Sequence, residues 1–174
     1  MKRINIIVFA CLCTSFACAQ TFDPEARLKE QKIELFKPAK PIANYVKAVR
    51  SGNLLFLAGH GPMNPDGTYI TGKVGVDLSL DQGYMAARQT AISMLSTLKN
   101  EVGDLKKVKR VVKVLGMVNS PDTFTDHPKV INGFSDLIVT VFGDRGKHAR
   151  AAVGMCSLPS NTAVEVEMIV ELEE

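Results

Sequence analysis

The stretch from His148 to Glu174 constrains this chain more than any other. Two runs, His148 to Leu158 and Ala163 to Glu173, flank Pro159-Ser160-Asn161-Thr162. In the second run Val164, Val166, Met168, Val170 and Leu172 share one face, while Glu165, Glu167 and Glu171 share the other. That alternation predicts a strand covered on one side. The first run is apolar on both faces, which predicts a strand in the middle of a sheet. It carries one charge, Arg150, followed on its own face by Ala152 and Gly154. A guanidinium beside two residues that leave volume unfilled is placed to receive a planar anion such as a carboxylate. A structural alternative stands beside that reading. If the two runs form a simple hairpin with Leu158 facing Ala163, Arg150 faces Glu171 and pairs with it.

The rest of the chain supplies elements to complete a sheet. Tyr45 to Arg50 and Leu54 to Ala58 are expected as strands joined through Ser51-Gly52-Asn53, and a short strand is expected near Thr68 to Thr71. Ser79 and Gln82 form a capping-box pattern. Ala87, Ala91, Met94, Leu95, Leu98 and Val102 then make one helical stripe that Gly103 ends. The β-branched run Val108 to Val118 reads as a long strand. A second helix starts near Asp126, with Pro128 in its first turn, turns Val130, Phe134, Leu137, Ile138 and Val141 inward, and stops at Gly143. The order β-β-β-α-β-α-β-β predicts an α+β fold, a mixed sheet with two helices on one face. Strands apolar on both sides then need a second cover, which points to oligomerisation.

At the start, Lys2 and Arg3, an apolar run from Ile4 to Cys13 and the small residues Ala17-Cys18-Ala19 read as a secretory signal peptide, residues 1–19. The run is too short for a stable membrane span. Export to the periplasm or beyond is expected. Acylation at Cys18 is the alternative, which Ser15 and Phe16 fit poorly. Residues 20–40 are then an arm, helical from Pro24 to Leu35, and a linker, Lys37-Pro38-Ala39-Lys40-Pro41; residues 41–174 are one domain. Past residue 19 only Cys156 remains of four cysteines, so an internal disulfide is excluded. It is expected buried and inert.

Removing Lys2 and Arg3 takes the formal charge from +3 to +1, which gives no electrostatic case for nucleic acid. The basic run Lys106, Lys107, Lys109, Arg110 and Lys113 has no interleaved aromatics and reads as a solvated strand edge. Gly67 to Val74 nearly matches a phosphate-binding loop but ends on Val74, where a magnesium-binding hydroxyl is needed. His60, His127 and His148 lack metal-ligand spacing, so no metal site is expected, and His127 is expected solvated.

Ala149-Arg150-Ala151-Ala152-Val153, Leu158-Pro159 and Val164-Glu165-Val166-Glu167, with Asn44-Tyr45, Leu57-Ala58-Gly59 and Asn132, resemble the RidA (YjgF-like) family of enamine/imine deaminases, also labelled L-PSP endoribonucleases. The resemblance runs from about Pro41 to Glu173. It implies a chorismate-mutase-like fold, a homotrimer with clefts at subunit boundaries, and hydrolysis of 2-imino acids to 2-oxo acids and ammonia without a cofactor. It further implies that Arg150 grips the substrate carboxylate and Glu165 positions the attacking water. Tyr45, Asn132 and the neighbourhood of Ala58, Gly59, His60 and Ala152 line the pocket. Relatives often carry serine at Ala58 and cysteine at Ala152, so substrate preference need not carry over. A non-catalytic protein binding small carboxylates in the same cleft is the alternative, and RNA cleavage has only the lysine run behind it. In a simple hairpin Glu165 faces Cys156, about 20 Å along the strand from Arg150. Either that register is wrong or the site is built between subunits.

Overall fold

A computed structural model of the chain describes residues 22–41 and 43–174. The signal-peptide reading and the question of Cys18 therefore lie outside the described residues. Five strands form one mixed sheet: β1 (Ala48–Ser51), β2 (Leu54–His60), β3 (Val108–Asn119), β4 (Ala149–Met155) and β5 (Val164–Leu172). Their order across the sheet is β1-β2-β5-β3-β4, antiparallel except for the β3–β4 pair. Three helices accompany them: α1 (Pro24–Glu30), α2 (Leu80–Val102) and α3 (His127–Phe142).

The two long helices start and stop where the sequence predicts. Ser79 and Gln82 complete both hydrogen bonds of the capping box on α2, and Gly103 ends it at φ 78°. Asp126 precedes α3 and Gly143 ends it at φ 60°. The predicted stripes of both helices are buried against Val111, Val114, Val118, Val164, Val166, Met168 and Val170. In α1, Leu28 is buried in the same core. Asp23 and Glu25 reach Lys106 and Lys99, and the Arg145 guanidinium stacks 4.0 Å from the Phe22 ring centre.

Strand pairing departs from expectation at the end of the chain. The last two runs do not form a hairpin. β5 lies between β2 and β3, and β4 runs parallel to β3 as the outermost strand, reached through α3. A parallel neighbour requires a crossover, and α3 supplies it. Arg150 is therefore half-buried at a sheet edge, not in a central strand, and Glu171 pairs instead with Lys109 and Arg110 at 2.8 and 2.6 Å. β4 covers β3 only from Lys113 onward, so the basic start of β3 is a solvated edge on that side. Thr68 to Thr71 is not a strand. Tyr69 and Thr71 make single bridges to Met63 and Thr162. Cys156 is exposed, not buried, because the chain leaves the sheet after Met155.

Between Leu57 and His60, β2 spends one residue more than β5 does between Met168 and Val166. This bulge resets the alternation. Without it His60 shares a face with Ala58; with it His60 turns inward beneath α2. The helices cover one face of the sheet. On the other, Val49, Phe56, Val153 and Met155 are exposed, and Val49 and Phe56 line a depression of about 300 Å³ with Leu115, Ile169 and Glu167.

Candidate functional site

Arg150 lies opposite Val114 on β3, and Val114 is buried on the helix side, so the guanidinium points toward α3. There Nη1 donates to Asn132 Oδ1 and to Ser135 Oγ, each at 3.0 Å, and Nη2 approaches the Pro128 carbonyl at 3.5 Å. Asn132 and Ser135 are three apart on one helical turn and so share a face. None of the ion pairs among the described residues involves Arg150. All of these partners are neutral. Both Nη1 hydrogens are used, which leaves Nε–H and one Nη2–H as a fork for a carboxylate. Ala152, next on this face, is packed against the core.

Glu165 lies opposite Met117 on β3, on the face the helices leave open. Its carboxyl rests over Gly59, where a Cβ would meet Oε1 at 2.0 Å, so it is the absence of a side chain here that lets the carboxyl lie against the bulge. The carboxyl is half-buried, and burial, with some help from Glu167, raises its pKa above 4.5. It walls a cavity of about 300 Å³ with Tyr45, Gly59, Tyr69, Ser160 and Thr162. Ser160 holds φ 54°, as does Asn161 after it. Ala58 lies beside Gly59 but lines the open-face depression.

The two groups do not meet within one protomer. From the register, Arg150 and Glu165 are two strand spacings and three residues apart, about 14 Å between α-carbons, with side chains on opposite faces. A 2-oxo acid cannot bridge that.

His60 is the sequence-selected residue that lies away from both groups. It is 3% exposed, with Nδ1 2.6 Å from the Ala58 carbonyl and Nε2 2.8 Å from Thr97 Oγ1 on α2. Burial, with Lys47 adding to it and the bond to Ala58 opposing, lowers its pKa to about 4, so it is neutral and occupied with the core. His127 is not fully solvated: Nε2 lies 3.1 Å from Ser120 Oγ, and its ring meets Phe124 edge-on. In the loop like a phosphate cradle, the Lys73 amide donates to Asp77 and its ammonium to the Cys156 carbonyl. Among the described residues no three His, Cys, Asp or Glu side chains gather as a metal site, and no helix is long and apolar enough to cross a membrane. A cavity of about 570 Å³ lies under α1, where the charged side chains Glu25 and Lys99 bond each other.

Three neighbours escaped the sequence reading: Ser135, His148 and Tyr69. Two had a usable signal, since Ser135 is one helical turn from Asn132 and His148 precedes Arg150 by two on a strand. Tyr69 comes from an irregular loop and had none.

Residues 25–172 match the family described as "YjgF/chorismate_mutase-like, putative endoribonuclease". Protein TCP17 of Trypanosoma cruzi is 45% identical over 148 residues, covering 84% of this chain and 92% of that one. A 2-iminobutanoate/2-iminopropanoate deaminase of Dermatophagoides farinae is 28% identical over 135 residues, covering 77% and 90%. The crystal structure of a protein of unknown function from Agrobacterium tumefaciens superposes with a TM-score of 0.79 at 44% identity, covering 87% of this chain and 92% of that one. The matched segment spans the sheet, α2, α3, Arg150 and Glu165, and the chain belongs to the YjgF/RutC/RidA family.

Proposed function

We propose that this protein hydrolyses 2-imino acids to 2-oxo acids and ammonia, in clefts where Arg150 of one protomer meets Glu165 of a neighbour in a homotrimer. One observation carries the reading. Arg150 is fixed by neutral acceptors and keeps a donor fork unspent, which is the state a carboxylate-binding guanidinium needs. The family's inclusion of imine deaminases supports the reaction class. The apolar open face and the separation of the half-sites support assembly, because the site is incomplete in one copy.

The chemistry asks little beyond positioning. An imine carbon next to a carboxylate is already electrophilic. Arg150 and Asn132 hold the substrate carboxylate, while Tyr45 and the backbone at Gly59, beside Ala58, shape the opposite wall. Glu165 takes a proton from water as its oxygen bonds to the imine carbon. It passes that proton to the nitrogen, giving a carbinolamine, and then carries the carbinolamine hydroxyl proton to the same nitrogen as C=O forms and the C–N bond breaks, releasing the 2-oxo acid and ammonia. A carboxyl whose pKa burial has raised suits both transfers. Residues 1–19 would export the chain to the periplasm or beyond.

A coupled assay tests this, with an amino-acid oxidase supplying the imine. Wild type should speed 2-oxo acid release above the buffer rate, while Arg150→Ala and Glu165→Gln should not. Buffer-like rates for all three, with wild type still binding 2-oxo acid, leave a carboxylate-binding protein without turnover.

A further inference from the structure

Behind Arg150 runs a hydrogen-bond chain whose proton positions can be read from chemistry alone. His148 Nδ1 lies 2.6 Å from the Gly146 carbonyl, Nε2 lies 3.0 Å from Ser135 Oγ, and Ser135 Oγ lies 3.0 Å from Arg150 Nη1. A carbonyl only accepts, so Nδ1 carries a hydrogen. A guanidinium only donates, so Ser135 Oγ accepts from Arg150. With His148 neutral, Nε2 is an acceptor, and the Ser135 hydroxyl hydrogen points to it. Every donor then has one acceptor, and the Ser135 lone pairs face the guanidinium.

We propose that Ser135 and His148 are positioning residues for ligand capture: together they fix the plane of the Arg150 guanidinium, and carboxylate affinity depends on His148 remaining neutral. This rests on the reading of Arg150 as the carboxylate anchor. A protonated His148 has no lone pair on Nε2 and must donate to Ser135. Two cations then share one hydroxyl and repel across it, and the serine hydrogen is turned out, so Ser135 no longer holds the guanidinium in its plane and Asn132 alone cannot fix it.

The charges on elements around His148 leave Arg150 as the one its titration meets. Asp144 and Lys147 in the preceding turn bond each other at 2.7 Å, and Arg145 there takes Glu173. On α3, Asp136 accepts from the Tyr84 hydroxyl at 2.9 Å, and Lys113 on β3 is exposed. Burial, with the Arg150 charge adding to it and the bond to Gly146 opposing, lowers the His148 pKa. The neutral state therefore prevails at neutral pH.

The experiment measures 2-oxobutanoate binding and steady-state imine hydrolysis across pH for wild type, S135A, S135T, H148Q and R150A, with folding checked by circular dichroism. S135A should weaken binding and raise KM about tenfold while kcat changes much less, the scale of one hydrogen bond to a charged group. S135T, which keeps a hydroxyl, should recover most of the loss. Wild-type affinity should fall as pH drops through the His148 titration, and H148Q, whose amide oxygen still accepts from Ser135, should flatten that fall. If wild type binds, R150A does not, and S135A and H148Q follow wild type at every pH, the positioning role is wrong while the anchor stands. If wild type itself does not bind, both readings fall. Should S135A not fold, nitrogen NMR of wild-type His148 decides, because the Nε2–H tautomer overturns the proposal.

Discussion

The groove between β4 and α3 and the corner beneath the β2 bulge treat their charges in opposite ways. In the groove, Arg150 is surrounded by acceptors, the Asn132 amide, the Ser135 hydroxyl and the Pro128 carbonyl. At the corner, the Glu165 carboxyl is half-buried over a glycine with no hydrogen-bond partner among the described residues, and burial raises its pKa. One region holds a charge ready, and the other makes a charge reluctant. An anion-binding group gains from the first treatment and a proton-transfer group from the second. One chain keeps them on opposite sheet faces, so under the proposed function the two regions would complement each other only between copies.

The sharpest break of this comparison is Arg150→Ala. Loss of a hydrogen-bonded charge partner costs about 2–5 kcal/mol of ligand interaction, so turnover per KM should fall by about thirtyfold to a few thousandfold. Because the guanidinium is half-exposed on an edge strand and its partners are neutral, the melting temperature should hardly move. An activity loss matched by an equally large loss of stability would make Arg150 a structural residue. Arg150→Lys should recover only part, since an ammonium cannot serve both the α3 acceptors and a bidentate ligand.

That Arg150 stood out in the sequence and its surroundings did not has a physical cause. A charge between alanines and a glycine is conspicuous in one dimension. The helices were legible for a similar reason, because caps and stripes such as Ser79–Gln82 or Val130–Phe134–Leu137 are local. Strand pairing is not local. Both sides of β4 are apolar whether it lies central or at an edge, and only the crossover through α3 decides. The bulge at Ala58–Gly59 is likewise invisible to an alternating pattern, and it alone sends His60 into the core while bringing Gly59 under Glu165. Ser135 and Tyr69 are ordinary residue types, marked only by what they touch.

Glycine-to-alanine changes sharpen the comparison at intermediate size. At Gly59 the added Cβ meets the far end of the Glu165 side chain, which can swing aside, so the fold should survive. The carboxyl then moves toward solvent. We expect kcat to fall by about tenfold, less than the roughly hundredfold or more that general acid–base catalysis contributes because the carboxyl is displaced and not removed, and its acidic pH limb to shift down toward the ordinary carboxylate value. At Gly154, in the other region, the Cβ meets His127 Nε2 instead. Gly154→Ala should disturb His127 and Ser120 while leaving that pH limb where it is. The same limb shift in both variants would mean that the two regions are not independent.

The smallest expected effect concerns stability at Glu165. Its folded pKa lies above the ordinary 4.5, so the native state favours the protonated form. The stability that protonation confers is fully present below the unfolded value and is lost as pH rises through the folded value. Glutamine imitates the protonated carboxyl at every pH. Glu165→Gln should therefore match wild type near pH 4, and become slightly more stable as pH climbs through the raised pKa. The gain should stay below about 1 kcal/mol, because the group is half-exposed and screened by solvent. Thermal unfolding at fixed protein concentration across pH 4 to 8 reads this directly. Arg150→Ala offers the contrast, with no gain at neutral pH, since its charge is already satisfied. A Glu165→Gln variant less stable than wild type at neutral pH would mean that in the assembled protein a cation, Arg150 of the neighbouring copy included, lies close enough to the carboxyl to outweigh its burial. In that case the corner would hold its charge as the groove does, and the assignment of Glu165 to proton transfer would lose its electrostatic basis.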